Sequence, residues 1–341
     1  MKKSRKILLV VMTIITIIMA MAITSSAETY TYGDFEYQET YGYRVAYTDD
    51  YVSEDCVEIT AYKGTSSTVT IPSTINGLKV RKIGMCAFQD CKTVKKVTIP
   101  NNVKYVASFA FEGCDNLTEV SIGSGVNQLG SRIEYAYDVF DECPNLKTIT
   151  ISSSNSYYTA VNNVLFNKSK KTLLFCPMAN ELSSFTIPST TTSIVDYAFR
   201  DCTKIEKVTI PNGMKSIGYC AFNSCTSLKS ITIPNSVKTI GESAFAYCEN
   251  LSSVKLGTGI TDIGKDTFYD CNNLSAIAIP SGVKTIQSYA FSSCDKLASV
   301  TIPNTVASIG NGAFDGCKAL TSITIPNSVV AVGEWAFYGC D

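Results

Sequence analysis

Cysteine is the residue type with the widest chemical scope in this sequence, because a thiolate can attack an electrophile, bind a metal ion or form a disulfide. The 341-residue chain has 14 cysteines, and ten of them lie three residues after a phenylalanine. We call these ten the cysteine ladder: Cys91, Cys114, Cys143, Cys202, Cys225, Cys248, Cys271, Cys294, Cys317 and Cys340. Catalysis has no use for ten copies of one thiol, so we predict that the ladder is structural, buried and mostly reduced.

Histidine is absent from the chain, which removes histidine-dependent triads, histidine-ligated zinc and imidazole general-base catalysis. The closest cysteine pairs, Cys86 with Cys91 and Cys220 with Cys225, are five residues apart, unlike the CxxC pairs of zinc sites. Adjacent carboxylates such as Asp49-Asp50 have turn-like neighbours, which hold no two carboxyl groups at a fixed separation around a cleft. The sequence therefore predicts a protein that is not an enzyme and that binds no metal or cofactor.

The cysteine ladder is one column of a repeat that recurs every 23 residues, as in the unit Ile231–Ser253, ITIPNSVKTIGESAFAYCENLSS. In each unit an alternating segment such as Val208-Thr209-Ile210 is followed by proline, which predicts a short strand. Phe222, Cys225 and Leu228 then recur every three residues, a spacing typical of one or two helical turns. A fixed period of about 20 to 29 residues predicts a solenoid. We therefore predict a β-rich repeat solenoid with a parallel sheet on one face and short helical or irregular segments on the other.

The pattern LxxIxIPxxVxxIGxxAFxxC, present from Val69 to Asp341, resembles the repeat of the BspA-like leucine-rich repeat proteins of bacterial surfaces. The lead-in Val57–Gly64 and the segment Asn163–Lys168 resemble parts of the same family. The resemblance implies a solenoid of the leucine-rich-repeat type and, as a tendency, surface exposure with adhesion or protein binding. Because such scaffolds host many functions, the repeat alone does not identify the ligand site.

The first 27 residues have the three parts of a signal peptide. Lys2–Lys6 is basic, Ile7–Ile23 carries no charge, and Ser25-Ser26-Ala27 supplies small residues for cleavage; an uncleaved anchor is the alternative. After cleavage, 25 basic and 30 acidic residues remain, a net charge of −5. This charge disfavours nucleic acid as a partner. We predict a secreted or cell-surface protein with no membrane span after signal cleavage.

Residues 28–68 are predicted to form aromatic strands that cap the N-terminal end of the solenoid, because eight of the 19 tyrosines lie between Glu28 and Tyr62. The leucine-rich repeat array then covers residues 69–341, with insertions at about 132–137 and 152–184. The second insertion has strand-like halves around a polar turn at residues 167–171, which predicts a hairpin. The last unit stops after Cys340 without a cap, so we expect an array that is truncated at its C-terminal end.

Ligand specificity is predicted to come from the irregular block between Arg132 and Ser184, because a ligand on identical turns slides by one period at little energetic cost. Two tyrosines at the entrance of the hairpin and three lysines at its tip are typical anchors and steering charges. With the outward strand positions beside them, the predicted ligand-binding residues are Thr148, Thr150, Tyr157, Tyr158, Lys168, Lys170, Lys171, Ser184 and Thr186. The alternative is that the hairpin only decorates the fold.

The outward positions of the predicted sheet are rich in hydroxyl groups, since 14 of 20 such positions are Ser or Thr. Such a surface can hydrogen-bond a glycan or a peptide strand, although threonine also simply suits an exposed strand. The leading hypothesis is an exported, non-enzymatic scaffold that binds a surface protein or glycan of host or neighbouring cells. The rival hypothesis is an N-terminal targeting array of a longer secreted enzyme, whose catalytic domain lies beyond residue 341.

Overall fold

The computed structural model describes residues 28–44, 51–130 and 136–340. They wind into a β-solenoid of about 12 turns with a period of about 23 residues, which confirms the predicted fold class. Helix in these ranges is limited to the four residues Ala136–Val139, and none of it is long and apolar enough to cross a membrane. The predicted signal peptide and most of the first insertion lie outside the described residues.

Each turn begins with a short strand that follows the predicted alternation, and these strands form what we call the first face. In Lys207–Thr209 the central Val208 is buried while its two neighbours are exposed, because successive side chains point to opposite sides of a strand. Parallel pairing sets Ser184 opposite Lys207, an offset of one repeat. The first-face strands are Thr68–Thr70, Lys96–Ile99, Glu119–Ile122, Thr148–Ile151, Ser184–Thr186, Lys207–Thr209, Ser230–Thr232, Ser253–Lys255, Ala276–Ala278 and Ser299–Thr301. Residues 321–326 form no strand, so the strand predicted around Ser322 is wrong.

A second strand in each turn forms a second parallel face, which the sequence did not predict. It is two residues long in the regular turns, as in Ser216–Ile217, and a glycine such as Gly218 usually follows it. A Cβ atom on Gly218 would lie 2.4 Å from the amide nitrogen of Asp196 in the preceding turn, so glycine permits the turns to approach closely. The second-face strands are Tyr51–Tyr62, Leu78–Ile83, Tyr105–Val106, Gln128–Leu129, Tyr158–Val161, Val164–Asn167, Thr172–Phe175, Ser193–Ile194, Ser216–Ile217, Thr239–Ile240, Asp262–Ile263, Thr285–Ile286, Ser308–Ile309 and Ala331–Val332.

The third side of each turn, which we call the third face, is irregular rather than helical. Alternate amides donate to the next turn: Cys220 N to Glu242 O at 3.0 Å, and Ser224 N to Ala246 O at 2.9 Å. Cys220 and Ser224 have φ angles of 49° and 58°, in the left-handed region that an α-helix excludes. The spacing of three that suggested helical turns is therefore produced by tight turns that stack through a backbone ladder.

The N-terminal strands cover the first complete turn. Tyr30–Tyr32, Phe35–Arg44 and Tyr51–Tyr62 form an antiparallel sheet, whose last strand pairs in parallel with Leu78–Ile83, and Thr74–Ile75 pairs antiparallel with that same strand. Tyr62 is buried, and its ring stacks on Phe88 at a centroid distance of 5.0 Å. These strands thus bury apolar surface that an open end of the solenoid would expose to water.

The repeat phenylalanines form a continuous column inside the solenoid. From Phe199 to Phe337 the rings stack with centroids 4.9 to 5.5 Å apart and planes within 8° of parallel. Most of these side chains are fully buried. Each turn therefore buries its aromatic ring against its two neighbours, which is how a solenoid forms a core from units that have none alone.

The cysteine ladder runs beside this phenylalanine column. Eight of its ten thiols are buried, whereas Cys91 and Cys340 are half-buried. The Sγ atom of Cys248 donates to the Phe222 carbonyl of the preceding turn at 3.2 Å, and the same bond recurs in eight turns at 3.0 to 3.3 Å. Cysteine suits this position because it is small and apolar yet carries a weak hydrogen-bond donor.

We expect the buried ladder thiols to resist iodoacetamide in the folded protein at about pH 8 and to react once the chain is denatured without reductant. Burial raises the pKa of the Cys248 and Cys317 thiols from 9.0 to about 12, so almost no thiolate forms at neutral pH. Between about pH 9 and pH 12 a ladder thiol loses its proton in the unfolded chain but keeps it in the folded protein. The free energy of unfolding therefore falls as the pH rises through this range. Mass spectrometry of the labelled chain and urea denaturation at about pH 8 and 10.5 measure both effects. Thiols that stay unreactive in denaturant would contradict the assignment.

The second insertion contains the predicted hairpin around residues 167–171, but that hairpin lies inside the solenoid as part of an internal layer, which we call the partition. Its strands Tyr158–Val161, Val164–Asn167 and Thr172–Phe175 form a three-stranded antiparallel meander. The segment of residues 159–166, one strand-like half of the insertion, is not a single strand. Asn162 and Asn163 have left-handed φ angles of 51° and 65° and make a tight turn within it. Sequence periodicity misses this turn because both flanking strands are apolar.

The partition separates two hydrophobic cores. Val164, Phe166 and Leu173 belong to the core of the C-terminal turns, whereas Leu165 and Leu174 belong to the core of the N-terminal turns. All five side chains are fully buried. The two central strands are thus covered on both sides, which explains their continuous apolar composition.

Candidate functional site

A cleft of about 740 Å³, which we call the notch, opens on the third face of the solenoid. It lies where three consecutive turns meet. We number them third, fourth and fifth, and the residues at the cysteine-ladder position are Cys143, Ala179 and Cys202 respectively. Its volume is in the range typical of ligand-binding clefts. The lining residues are Asp115, Asp141, Glu142, Pro144, Asn145, Lys147, Met178, Ala179, Glu181, Arg200, Asp201, Thr203 and Lys204.

The notch exists because the fourth turn is recessed. Its residues Cys176 and Ala179 stand where the fifth turn has Phe199 and Cys202, one period further on, so smaller side chains fill the same positions. Met178 is 8% exposed, whereas Tyr247 at the equivalent position of a regular turn is 42% exposed. The corners of the third and fifth turns therefore project on either side of a sunken fourth corner.

The backbone ladder of the third face is interrupted at the notch. In the fifth turn the Asp201 amide donates to the Asn223 carbonyl of the next turn at 2.9 Å. The equivalent amide of the third turn, on Glu142, instead bonds the Asp141 carboxylate at 2.9 Å. By the same offset of 22 residues, the Arg200 carbonyl would accept from the amide of Met178 in the recessed fourth turn, and across the described ranges it receives no hydrogen bond. The notch thus leaves a backbone acceptor open to a ligand.

Arg200 is held at the rim of the notch by aromatic and acidic neighbours. Its guanidinium lies 5.5 Å from the ring centre of Tyr137 and 5.8 Å from that of Tyr197, and it donates to the Tyr137 hydroxyl. Tyr137 in turn donates to Asp141 at 2.6 Å, and Arg200 pairs with Asp201 at 3.3 Å. This network fixes the guanidinium on the side that faces Asp141.

The charges that line the notch are mixed, with five carboxylates and three basic groups. Lys147 pairs with Glu181 at 2.8 Å, and this bond lowers the pKa of the Glu181 carboxyl. Burial, with repulsion from Asp141, raises the pKa of Asp201 although Arg200 opposes the change. Among the described residues no cluster of three or more acidic, cysteine or histidine side chains is arranged to hold a metal ion. The arrangement suits recognition of a polar ligand that carries charge.

Comparison with known families identifies the repeat. A model of the BspA type leucine rich repeat region matches residues 57–177, 174–298 and 284–341, which together span most of the chain. The chain belongs to this family. The predicted family resemblance is confirmed, and the residues of the notch lie within the matched array. No curated protein matches the chain.

Several solved structures of leucine-rich repeat proteins are similar to this chain. A leucine-rich repeat protein from Eubacterium ventriosum is 24% identical with a TM-score of 0.66, over 93% of this chain and 95% of that one. A leucine-rich repeat protein from Bacteroides ovatus is 24% identical with a TM-score of 0.47, over 89% and 91% of the two chains. A leucine rich cell surface protein from Faecalibacterium prausnitzii is 21% identical with a TM-score of 0.40, over 91% and 96%. The first of these shows that the solenoid fold is shared.

None of the residues predicted to bind a ligand lines the notch of this leucine-rich repeat protein. Thr148 and Thr150 lie on the first face of the N-terminal turns, and Ser184 and Thr186 lie in a separate sheet on the far side of the partition. Thr150 donates to the Ser121 hydroxyl at 3.0 Å. The structure therefore does not bring these four hydroxyls together into one site.

The tyrosines and lysines of the second insertion have mainly structural contacts. Tyr158 is fully buried, with its amide bonded to Asn155 and its hydroxyl to the Asn127 carbonyl, so it is not the predicted surface anchor. Tyr157 is half-buried, and its amide also bonds Asn155. Lys168 donates to the carbonyls of Ser153 and Asn155.

The remaining two predicted lysines lie in the tight turn that joins the last two strands of the partition. The carbonyl of Lys170 accepts from Thr191 at 2.8 Å, and that of Lys171 accepts from the Thr192 amide at 2.8 Å. This turn therefore packs on the fifth turn of the solenoid. The Lys171 side chain is exposed, so a role in ligand attraction stays a prediction.

Sequence reasoning missed the residues that build the notch. Arg200 carried one signal, because it is the only arginine after Arg132 and it occupies a variable position next to the irregular turns. An arginine in such a place is typical of binding surfaces. Asp141 and Lys204 carried no signal, since charged residues are common at the same corner of ordinary turns.

Proposed function

We propose that this chain is an exported, non-enzymatic scaffold that binds a surface protein or glycan of host or neighbouring cells through the notch. The observation that carries the proposal is a cleft of about 740 Å³ beside a long run of near-identical turns. A ligand held there has one register, whereas a ligand on the regular turns has several equivalent ones. The notch therefore supplies the specificity that a uniform repeat lacks.

Three features support the non-enzymatic and extracellular parts of this proposal. Burial raises the pKa of ladder thiols such as Cys248, which disfavours thiolate nucleophiles. The first 27 residues have the composition of a signal peptide. The BspA-like family that the repeat resembles includes proteins of bacterial surfaces. Adhesion is a function that such a scaffold can serve without catalysing a reaction.

A matched pair of tryptophan substitutions tests the role of the notch. Thr203 lines the notch, and Thr226 occupies the same repeat position one turn further on, outside it. We expect Thr203→Trp to fill the notch and weaken binding at least tenfold, or about 1.4 kcal/mol, while Thr226→Trp binds like the wild type. The measurement uses the labelled chain on arrays of purified extracellular proteins and glycans, with melting curves to verify folding. Equal binding by the two folded variants would refute the proposed site.

A further inference from the structure

We propose that the notch receives a short extended peptide of net positive charge from a protein partner. This inference rests on the proposed function, and it names the chemical class of the ligand. It depends on the gap in the third-face ladder, on the composition of the notch and on its charge, which are independent observations.

The backbone argument comes from the ladder itself. On the regular third face, an amide of one turn donates to a carbonyl of the next, as between Phe222 and Ala244 at 2.8 Å. The Arg200 carbonyl has no such donor within the described part of the chain, because Met178, which the regular offset places opposite it, lies in the recessed fourth turn. On the other side of the recess, the Glu142 amide bonds the Asp141 carboxylate instead of the fourth turn. A peptide supplies N–H donors at the spacing of a strand, so it can occupy the place of the missing ladder member.

The composition of the notch favours a peptide over a sugar. Its lining has no aromatic side chain, because Tyr137 and Tyr197 stack on each other at 4.6 Å behind Arg200. Sugar rings typically pack their C–H groups on an exposed aromatic face, which the notch wall lacks. Met178, Pro144 and Ala179 instead provide an apolar floor for peptide side chains.

The net charge of the notch determines the sign of the charge that we expect on the peptide. Its five carboxylates exceed its three basic groups, a net charge of −2. The Glu142 carboxylate is exposed and forms no ion pair with any described residue, whereas Lys147 and Arg200 are already paired with acidic side chains. A lysine or arginine of the ligand therefore finds an available carboxylate, and complementary charge also speeds association.

The experiment uses a phage-displayed library of random heptapeptides, selected on the folded full chain. We expect the selected peptides to be enriched in lysine and arginine, and a synthetic representative to bind less tightly as salt is added. Thr203→Trp should weaken this peptide at least tenfold, and Thr226→Trp should leave its affinity unchanged. N-methylation of the peptide amide that bonds Arg200, found by scanning each position, should weaken binding at one position more than at the others.

A charge-neutral substitution with its own control tests the contact with Glu142. Glu142 and Asp270 both precede a ladder cysteine and both have left-handed φ angles, 51° and 58°. We expect Glu142→Gln to weaken the peptide about fivefold or more, and Asp270→Asn to have no effect. Selection of acidic peptides, or a peptide affinity that Thr203→Trp leaves intact, would overturn the inference. If no peptide is selected but Thr203→Trp abolishes binding on a glycan array, the peptide assignment fails while the proposed binding function of the notch stands.

Discussion

Replacing Phe245 with alanine is expected to lower the free energy of unfolding by about 3 to 5 kcal/mol. The Phe245 ring is fully buried, and it stacks on Phe222 and Phe268 at centroid distances of 5.2 and 5.5 Å. Truncation removes the ring and leaves a cavity between two turns that cannot collapse, because the backbone ladder fixes their separation. The effect is large since one side chain contributes to two interfaces of the array.

The control for this prediction is Thr232→Ala on the first face of the same turn. Thr232 is exposed, so its truncation should change the free energy of unfolding by about 0.5 kcal/mol or less. Urea denaturation followed by circular dichroism measures both variants. Equal destabilisation by the two substitutions would show that the inward and outward positions are wrongly assigned.

The second large effect is expected in the partition, where two adjacent leucines face different cores. Leu173 belongs to the C-terminal core and Leu174 to the N-terminal core, and both are fully buried. Each Leu→Ala substitution should cost about 2 to 5 kcal/mol. Because neighbouring residues of a strand point in opposite directions, the two losses should appear in opposite halves of the protein.

Hydrogen exchange followed by mass spectrometry measures where each loss occurs. Leu173→Ala should accelerate exchange in the turns after Ser184, and Leu174→Ala in the turns before Ile151. The two variants are matched in chemistry, in burial and in sequence neighbourhood, so each serves as the control of the other. Identical exchange patterns in the two variants would mean that the partition does not separate the cores.

The sequence predicted those parts of the fold in which each residue repeats a local pattern. The first-face strands were predictable because Val208 and Ile210 alternate with an exposed residue. Such alternation indicates a strand that is buried on one side. The second face was not, since a strand of two residues such as Ser216–Ile217 has no alternation to detect. The third face was misjudged because a spacing of three residues is shared by helical turns and by tight turns that contain left-handed residues.

The candidate site was harder to predict than the fold. The hairpin within the partition was predictable from its polar turn, but its burial was not, because apolar runs such as those at Leu165 and Leu173 do not say whether a strand is covered on one side or on both. The notch is a recess, produced by the small residues Cys176 and Ala179 in the fourth turn. A recess between turns depends on three segments at once, so no single motif marks it.

The constant register of the later turns has a consequence for how the gene can change. From Ser184 onward, neighbouring strands pair with an offset of one whole repeat. Ser193 lies opposite Ser216, for example, and Ser216 lies opposite Thr239. Recombination between two neighbouring repeats removes or adds a complete unit, and the turns on either side of the junction then meet with the same phenylalanine, cysteine and ladder contacts as before. The partition and the notch have no second copy with which to recombine in this way. We therefore expect the number of turns to change more readily than the partition and the notch beside it.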